Sequence, residues 1–386
     1  GFYATVGRAG RRGDFLTSPE VGPLFGALIA RRLDEEWLAL GSPETFVVVE
    51  FGAGPGTLAR SIAFAGPECA PALRYLMVER SAEQRALHAG HLEGWMGDVD
   101  AAGVETFVSG VGPGPKFASS PIAPYGITGV ILANELLDNL PFKLFVYDGK
   151  WKEAFVALGD NGKFVEVLRH VDNIPEVLPL TAPLGSRAPI QVAASQWMLN
   201  VSQKLSRGRV LVFDYCSEST SEIAVTPWRE WLRTYKNHER GLHYLLEPGT
   251  QDITTQVMID QLTSKNPGLL VTSQYEWLKN RGIDELVDEG NKYWDEHKSV
   301  PDIAAMKMNA IAGRGSKKDF IDVYYLLQYF TLEVMIDLYL QKYSNGSEFL
   351  VRKSLTFFDD AEEEEMPVML EDISWDHIKE RILEVL

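Results

Sequence analysis

The sequence lacks the features of disulfide-bonded, metal-binding and membrane-spanning proteins. It has only two cysteines, Cys69 and Cys216, which cannot form a disulfide framework, and no Cys or His spacing is typical of a zinc site. No apolar run approaches the roughly 20 residues that cross a bilayer, and the N-terminus has no apolar signal core. We therefore expect a cytoplasmic protein with no metal. The chain begins with Gly1 rather than methionine, which indicates a truncated start.

Positive charge is also scarce. The chain has 37 Lys and Arg against 54 Asp and Glu, a formal net charge of −17. A field of that sign repels phosphate backbones and anionic lipid surfaces. We expect neither nucleic acid nor a membrane as a partner. A cationic substrate would suit this charge, although a net negative charge more often reflects only a solvated acidic surface.

The chain does contain apolar strands that alternate with helices. Its 386 residues, 45% of them hydrophobic, suffice for a large core. The pattern predicts strands at 46–51, 73–79, 129–135 and 208–215, and helices at 23–40 and 191–205. Such alternation indicates a parallel sheet covered on both faces. The expected fold class is α/β, with a doubly wound, Rossmann-like sheet.

Other stretches interrupt this alternation. Residues 110–125 are rich in Gly, Pro and Ser and are predicted to be a loop, and residues 151–190 a strand-rich insertion. After residue 304 the apolar spacing predicts helices at 320–328 and 332–343. A last helix is predicted to carry, on one face, Trp375, Ile378, Ile382 and Leu386.

A glycine-rich turn follows the first strand. Gly52, Gly54 and Gly56 precede a helix that begins near Thr57. Glycines let a backbone approach its ligand, and a helix N-terminus offers N–H donors. Dinucleotide-binding turns have the spacing GxGxxG. The spacing here is GxGxG, with Glu50 at the strand end, and is the commoner form in S-adenosylmethionine-dependent methyltransferases; a tight strand–helix connection is the alternative.

Glu79 strengthens the cofactor interpretation. It ends the second strand, a little over twenty residues after Gly56. An acid at this place in an α/β sheet can accept both hydroxyls of a ribose. An isolated Glu at a strand end is usually a solvated loop residue. Combined with the glycine turn, Glu79 is predicted to bind the cofactor S-adenosylmethionine.

The third strand ends in a possible catalytic segment that contains Asn134, Glu135 and Asp138. Active sites in such sheets lie outside the carboxyl ends of the strands. Two carboxylates three residues apart could hold a guanidinium and localise its charge away from the attacking nitrogen, while positioning supplies much of the rate of methyl transfer. On spacing alone, a helix cap at Asp138 and a loop acid at Glu135 are equally good interpretations.

The remaining polar clusters have simpler explanations. Thr17 or Ser18 followed by Glu20 is typical of a helix start. Residues 252–255 can likewise be explained as a helix cap alone. The histidines have no metal spacing such as HExxH, and no Ser/His/Asp set or GxSxG motif indicates a hydrolase. His88 and His91 are expected to be surface residues on one helix face.

Together these residues resemble the MidA family of S-adenosylmethionine-dependent methyltransferases, whose mitochondrial members include a complex I assembly factor that dimethylates arginine. The resemblance runs in order through residues 1 to 303. The segments that carry it are 13–20, 50–58, 78–81, 133–141, 213–215 and 248–254.

The resemblance implies a class I methyltransferase domain and assigns residues to two sites. The cofactor-binding residues are Glu50, Gly52, Gly54, Gly56, Thr57 and Glu79, and the catalytic candidates are Asn134, Glu135 and Asp138. The acceptor site would also be lined by Asp14, Thr17, Ser18, Pro19 and Glu20. Arginine in a protein substrate is implied only by the mitochondrial branch. A small cationic or carboxylate metabolite remains an alternative acceptor, as does a cofactor-binding assembly or fusion protein without catalysis.

The last part of the chain, residues 304–375, resembles the C-terminal part of AbiEii-like nucleotidyltransferase toxins. We therefore expect two domains, 1–303 and 304–386, the second mostly helical. The metal-binding signature of a nucleotidyltransferase is absent from the sequence, so the tail is expected to be inactive as such an enzyme. It would replace the last sheet strand of the methyltransferase family, with 349–351 or 356–358 at the edge.

Overall fold

The structure is a computed structural model whose contacts divide the chain into two units, Gly1–Ile283 and Asp284–Leu386. The predicted acceptor segment, residues 14–20, lies outside the described residues, and the predicted domain boundary at 303 stays a prediction. The residues that the structure describes are 23–92, 96, 103–109, 116–236, 239–297, 300–313, 315–343, 346–362, 364, 366–367, 369 and 373–386.

The first unit combines strands and helices. Its strands are Phe46–Phe51 (β1), Leu73–Val78 (β2), Phe117–Ser120 (β3), Ile127–Asn134 (β4), Lys143–Tyr147 (β5), Trp151–Leu158 (β6), Phe164–Arg169 (β7), Arg187–Ile190 (β8), Leu205–Phe213 (β9), Cys216–Ser217 (β10), Leu232–Lys236 (β11), Glu239–Arg240 (β12), Asp252–Thr255 (β13) and Val257–Met258 (β14). Its helices are Leu24–Ala39 (α1), Thr57–Ala65 (α2), Ala82–His91 (α3), Val104–Ser109 (α4), Val192–Ser202 (α5), Thr220–Ile223 (α6), Trp228–Trp231 (α7), Ile259–Thr263 (α8) and Gln274–Lys279 (α9).

A five-stranded parallel sheet, in the order β3-β2-β1-β4-β9, forms the centre of this unit. The four strands predicted from apolar runs are present, and the expected α/β class is confirmed. On one face, Val47 and Val49 of β1 pack with Phe107 of α4 and Val201 of α5. The strand order reverses between β1 and β4, and ligands of such sheets bind outside the carboxyl ends of the strands at this point.

The prediction of a loop over residues 110–125 was wrong, because β3 lies within it. Phe117 and Ala118 are buried, and the ring of Phe117 stacks on that of Tyr75 in β2 at 5.2 Å. Four residues, three of them buried, suffice for pairing with a neighbouring strand, although the flanking Gly and Pro residues dominate the composition of the segment.

Two glycines let β4 approach its two neighbours, β1 and the edge strand β9, closely. Gly129 of β4 lies opposite Val47 of β1 and also opposite Gly208 of β9. A Cβ at position 129 would lie 1.9 Å from the carbonyl oxygen of Val47, and one at 208 would lie 1.7 Å from that of Gly129. Neither position has room for a side chain.

Smaller sheets follow β4. Three strands of the antiparallel sheet β7-β6-β5-β8 lie within residues 151–190, where a strand-rich insertion was predicted, and β5 precedes them. A three-stranded sheet, β12-β11-β13, and the pair β10-β14 complete the strands of the described residues. Among them β13 matters most for the site, because Thr254 lies on it.

The second unit is helical over the residues that the structure describes. Its helices are Ile283–His297 (α10), Val300–Gly313 (α11), Lys317–Leu326 (α12), Leu332–Lys342 (α13), Glu348–Leu355 (α14), Asp359–Glu362 (α15) and Trp375–Glu384 (α16). Its core contains Met308, Phe320, Met335 and Ile378. In no described part of either unit is a helix both long and apolar enough to cross a membrane.

Two expectations for the tail were wrong. Residues 348–355 form α14 rather than an edge strand, because Val351 and Leu355, four residues apart, are buried on one helix face. Residues 356–358 lie outside any strand as well. In the last helix, Ile378 and Ile382 are buried as predicted, whereas Leu386 lies beyond the helix end and is 39% exposed.

Candidate functional site

The glycine loop joins β1 to α2 at the reversal of strand order. Gly52, Gly54 and Gly56 have φ of 68°, 54° and 87°, a left-handed conformation that other residues rarely adopt. A Cβ on Gly52 would lie 3.0 Å from Leu136, and one on Gly56 would lie 3.2 Å from the ring of His88. A Cβ on Gly54 would meet nothing within 4 Å. The loop is therefore packed at both ends and open in the middle.

Glu79 connects this loop to the end of β2. Its Oε2 accepts the backbone N–H of Gly54 at 3.0 Å, and its Oε1 accepts that of Ser81 at 2.8 Å. The carboxylate is half-buried and lies beside the open middle of the loop. A strand-end acid at this place in an α/β sheet can accept ribose hydroxyls, so the position of Glu79 fits its predicted role.

The N-terminus of α2 completes the cofactor half of the site. Gly56 is the N-cap and makes no side-chain capping bond. Thr57 is the first helical residue, and its carbonyl accepts the hydroxyl of Ser61 at 3.0 Å. The first N–H groups of a helix have no partner within the helix and attract an anion. The chain thus offers a carboxylate for a ribose and a helix terminus for a carboxylate, and these residues fit S-adenosylmethionine.

Glu50 lies differently from the other predicted cofactor ligands. It is 3% exposed, and its carboxyl accepts the hydroxyl of Tyr75 at 2.9 Å. Burial raises the pKa of Glu50 to about 8, while the bond from Tyr75 lowers that pKa and the charge of Glu79 raises it. Glu50 is therefore largely protonated at neutral pH, and its role as a cofactor ligand stays a prediction.

The expectation of a surface position for His88 was wrong. The side chain is fully buried, between the carbonyl of Gly54 and the hydroxyl of Ser119. The surface pattern of α3 was misleading because β3, which supplies Ser119, was not predicted. No local sequence pattern identifies a histidine that packs against a glycine loop.

The candidate acceptor half of the site is the turn that follows β4, residues 134–139. Glu135 has φ of 49°, and its N–H donates to the carbonyl of Phe213 at 2.8 Å. A left-handed glutamate costs about 1 kcal/mol or more and persists where its surroundings enforce it. The amide of Asn139 helps to do so, since it donates to the carbonyl of Glu135 at 3.1 Å and to Asp138 at 2.8 Å. Asn134 lies half-buried at the end of β4.

Asp138 is buried in this turn, with 6% of its surface exposed. It accepts the hydroxyl of Thr254 at 2.8 Å. Burial raises the pKa of Asp138 to about 6, against a lowering by the Thr254 bond. No helix begins at Asp138, and Thr254 lies in strand β13, so the cap interpretations of residues 138 and 252–255 were wrong.

No role was predicted for Asp214, which stabilises the turn after β4. Its Oδ2 accepts the N–H of Leu137 at 2.8 Å and that of Asp138 at 3.4 Å. Burial, followed by the charge of Asp138, raises the pKa of Asp214 well above its ordinary value. The available signal was its position directly after β9, which places it at the same sheet edge as the end of β4.

The structure brings the two halves of the site together. Leu136 of the turn lies against Gly52 of the glycine loop. The buried carboxyl group of Asp138, the half-buried Asp214 and the strained Glu135 lie on the candidate acceptor side of this contact. Among the described residues, no three His, Cys, Asp or Glu side chains are grouped to hold a metal ion. The arrangement combines a cofactor cradle with an acidic turn suited to a cationic acceptor.

Two family models match the chain. Residues 28–267 match a family described as "Putative S-adenosyl-L-methionine-dependent methyltransferase". Residues 297–386 match a family described as a nucleotidyl transferase AbiEii toxin of a type IV toxin–antitoxin system.

Curated relatives and solved structures agree with the first of these matches. The chain is 28% identical to the protein arginine methyltransferase NDUFAF7 homolog of Drosophila melanogaster over 67% of its own length and 61% of the relative's. It is 26% identical to human protein arginine methyltransferase NDUFAF7 over 76% of the chain and 69% of the relative. A crystal structure described as that of a "likely methyl transferase" from Burkholderia thailandensis, with S-adenosyl-homocysteine bound, is 28% identical in sequence. Its TM-score is 0.63, over 77% of this chain and 76% of that one.

The chain therefore spans about three fifths of the length of the Drosophila relative. The first family model covers well over half of the 386 residues, including the glycine loop, Glu79 and the turn after β4. The chain belongs to this family of S-adenosyl-L-methionine-dependent methyltransferases.

Proposed function

We propose that this protein transfers a methyl group from S-adenosylmethionine to an arginine side chain of a protein substrate. The observation that carries the proposal is the contact of Gly52 with Leu136, because it joins the cofactor loop to a turn with two carboxylates. The names of the curated relatives support arginine as the acceptor.

The carboxylates of the turn suit a guanidinium. When bound, S-adenosylmethionine supplies an electrophilic methyl group on a sulfonium. Glu135 and Asp138 would hold the planar acceptor by charge-assisted hydrogen bonds and leave one nitrogen free to attack. A new N–C bond forms while the S–C bond breaks, and its electron pair stays on sulfur.

The reaction also releases a proton, because a guanidinium carries the same charge before and after methylation. Asp138, with a pKa of about 6, is largely ionised at neutral pH and can accept that proton. Its half-buried neighbour Asp214 keeps the turn in place. These roles of Glu135 and Asp138 are part of the proposal.

The test is methylation by the purified chain with methyl-labelled S-adenosylmethionine and a panel of arginine-containing proteins and peptides, small guanidines and carboxylates. Products are hydrolysed and separated as methylarginine, methyl-lysine or base-labile methyl ester. Glu135→Gln is measured beside wild type, and Glu247→Gln is the matched control, since Glu247 is also a left-handed glutamate, with φ of 46°.

We expect methylarginine in a protein substrate, with turnover reduced at least tenfold in Glu135→Gln and unchanged in Glu247→Gln. Label only in a small molecule or a methyl ester would overturn the assignment of protein arginine. Binding of S-adenosyl-homocysteine without transfer to any acceptor would instead favour a cofactor-binding assembly or fusion protein.

A further inference from the structure

His88 lies directly beneath the cofactor loop, although it contributes nothing to the acceptor side. It projects from α3 and is fully buried. Its Nε2 lies 2.7 Å from the carbonyl oxygen of Gly54, and its Nδ1 lies 2.9 Å from Oγ of Ser119 in β3. The ring is thus held at both nitrogens between the glycine loop and an edge strand of the sheet.

The partners of His88 fix its tautomer. A carbonyl oxygen only accepts hydrogen bonds, so the proton is on Nε2. Burial lowers the pKa of His88 below its ordinary value of 6.5 and favours the neutral ring. Nδ1 therefore accepts the hydroxyl hydrogen of Ser119. Among neighbouring charges, Glu79 raises the pKa, whereas His91 and Arg85 lower it.

Gly54 is consequently held through both of its backbone groups. Glu79 accepts its N–H, and His88 donates to its carbonyl. The ring also leaves little space for a side chain at position 56, because a Cβ on Gly56 would lie 3.2 Å from Cδ2 of His88. The imidazole thus determines the course of the loop between Gly54 and Gly56, and a left-handed glycine without such support would lose this conformation readily.

We propose that His88 is a positioning residue whose neutral imidazole holds the peptide groups of Gly54 in the conformation that binds the cofactor. This inference rests on the proposed function only in that the ligand is S-adenosylmethionine or its product. It adds a second support for the cofactor loop, since the position of the Gly54 carbonyl depends on the hydrogen bond that His88 donates.

The experiment is calorimetric titration of the full chain with S-adenosyl-homocysteine at neutral pH, above the ordinary pKa of histidine. Four variants are compared. His88→Leu removes both bonds, His88→Gln keeps a donor near the place of Nε2, and Ser119→Ala removes only the second partner. His91→Gln, on the same helix, is the matched control.

We expect His88→Leu to bind about tenfold or more weakly, the loss typical of a buried hydrogen bond with its unpaired carbonyl. His88→Gln should recover most of the affinity. Ser119→Ala should weaken binding less, and His91→Gln should match wild type. In turnover, the KM for S-adenosylmethionine should rise while kcat changes little.

Wild-type affinity in folded His88→Leu, or no recovery of affinity in His88→Gln, would overturn the inference. If His88→Leu does not fold, the affinities of Ser119→Ala and His88→Gln decide the matter. A wild-type chain that binds no S-adenosyl-homocysteine would refute the proposed function itself, a result distinct from these.

Discussion

The carboxylate of Asp214 accepts the backbone N–H of Leu137 at 2.8 Å, although the two residues are 77 positions apart. This bond fixes the turn after β4 to the end of β9. It also explains how Glu135 is kept in a left-handed conformation, because the chain on both sides of the turn is held by a neighbouring strand.

Asp214→Asn should impair turnover without impairing cofactor binding. The amide can replace only one of the two carboxylate oxygens that accept N–H groups of Leu137 and Tyr215. An N–H group left without its acceptor costs about 1–3 kcal/mol where water cannot replace that acceptor, so we expect kcat to fall roughly tenfold to a hundredfold. Affinity for S-adenosyl-homocysteine, measured by calorimetry, should stay within about twofold. The exposed Asp160→Asn is the control, and equal kcat in the two variants would refute this role.

Thr254→Val should change the pH dependence of methyl transfer. The hydroxyl of Thr254 lowers the pKa of Asp138, which is about 6. The ionised carboxylate is the active form, so the rate falls as the pH falls through that pKa. Without the hydroxyl the pKa rises, and the acidic limb of the kcat profile should move toward neutral pH.

The control for this profile is Thr263→Val, in which a helical threonine loses a bond to the carbonyl of Ile259 instead. Because Asp138 interacts with Asp214, the limb reports the titration of the pair. An unshifted limb in Thr254→Val would contradict Asp138 as the proton acceptor.

Gly52→Ala should weaken cofactor binding and turnover together. The new methyl group requires a left-handed alanine, which costs about 1–2 kcal/mol, and it also pushes Leu136 from a distance of 3.0 Å. Gly66→Ala carries the same backbone cost at φ of 60° with open space around its Cβ. Thermal unfolding should show similar destabilisation of both variants, and only Gly52→Ala should lose affinity for S-adenosyl-homocysteine. Equal affinity would show that the loop and turn are independent.

Because of Glu50, the free energy of unfolding should fall as the pH rises from 4.5 to about 8. Its pKa is raised from 4.5 to about 8 in the folded state, so its protonated form stabilises the fold fully below pH 4.5. That stability is lost progressively as the pH rises to about 8, by a few kcal/mol in total. Glu50→Gln removes the titration. Denaturant unfolding from pH 5 to 9 should show the free energy of wild type falling relative to the variant, and parallel curves would contradict a buried, protonated Glu50.

The sequence predicted the central sheet because its strands are continuous apolar runs, and the glycine loop with Glu79 because their spacing is characteristic. It did not reveal β3, whose four residues are too short to show a period. It also missed the partners of the predicted residues. Thr254 and Asp214 approach Asp138 only through the fold, and His88 reaches Gly54 across 34 residues, so local patterns carried no sign of these contacts.

The paired glycines of the central sheet restrict how this protein can vary. Since a Cβ at position 129 or 208 would collide with the backbone of the adjacent strand, no compensating change of a side chain elsewhere can relieve either substitution. In a saturation library selected for folding, these two neighbouring positions should accept nothing but glycine, while the surrounding β-branched residues exchange with one another. We therefore expect almost no sequence variation at Gly129 and Gly208, which pair with each other, while Gly129 also pairs with Val47.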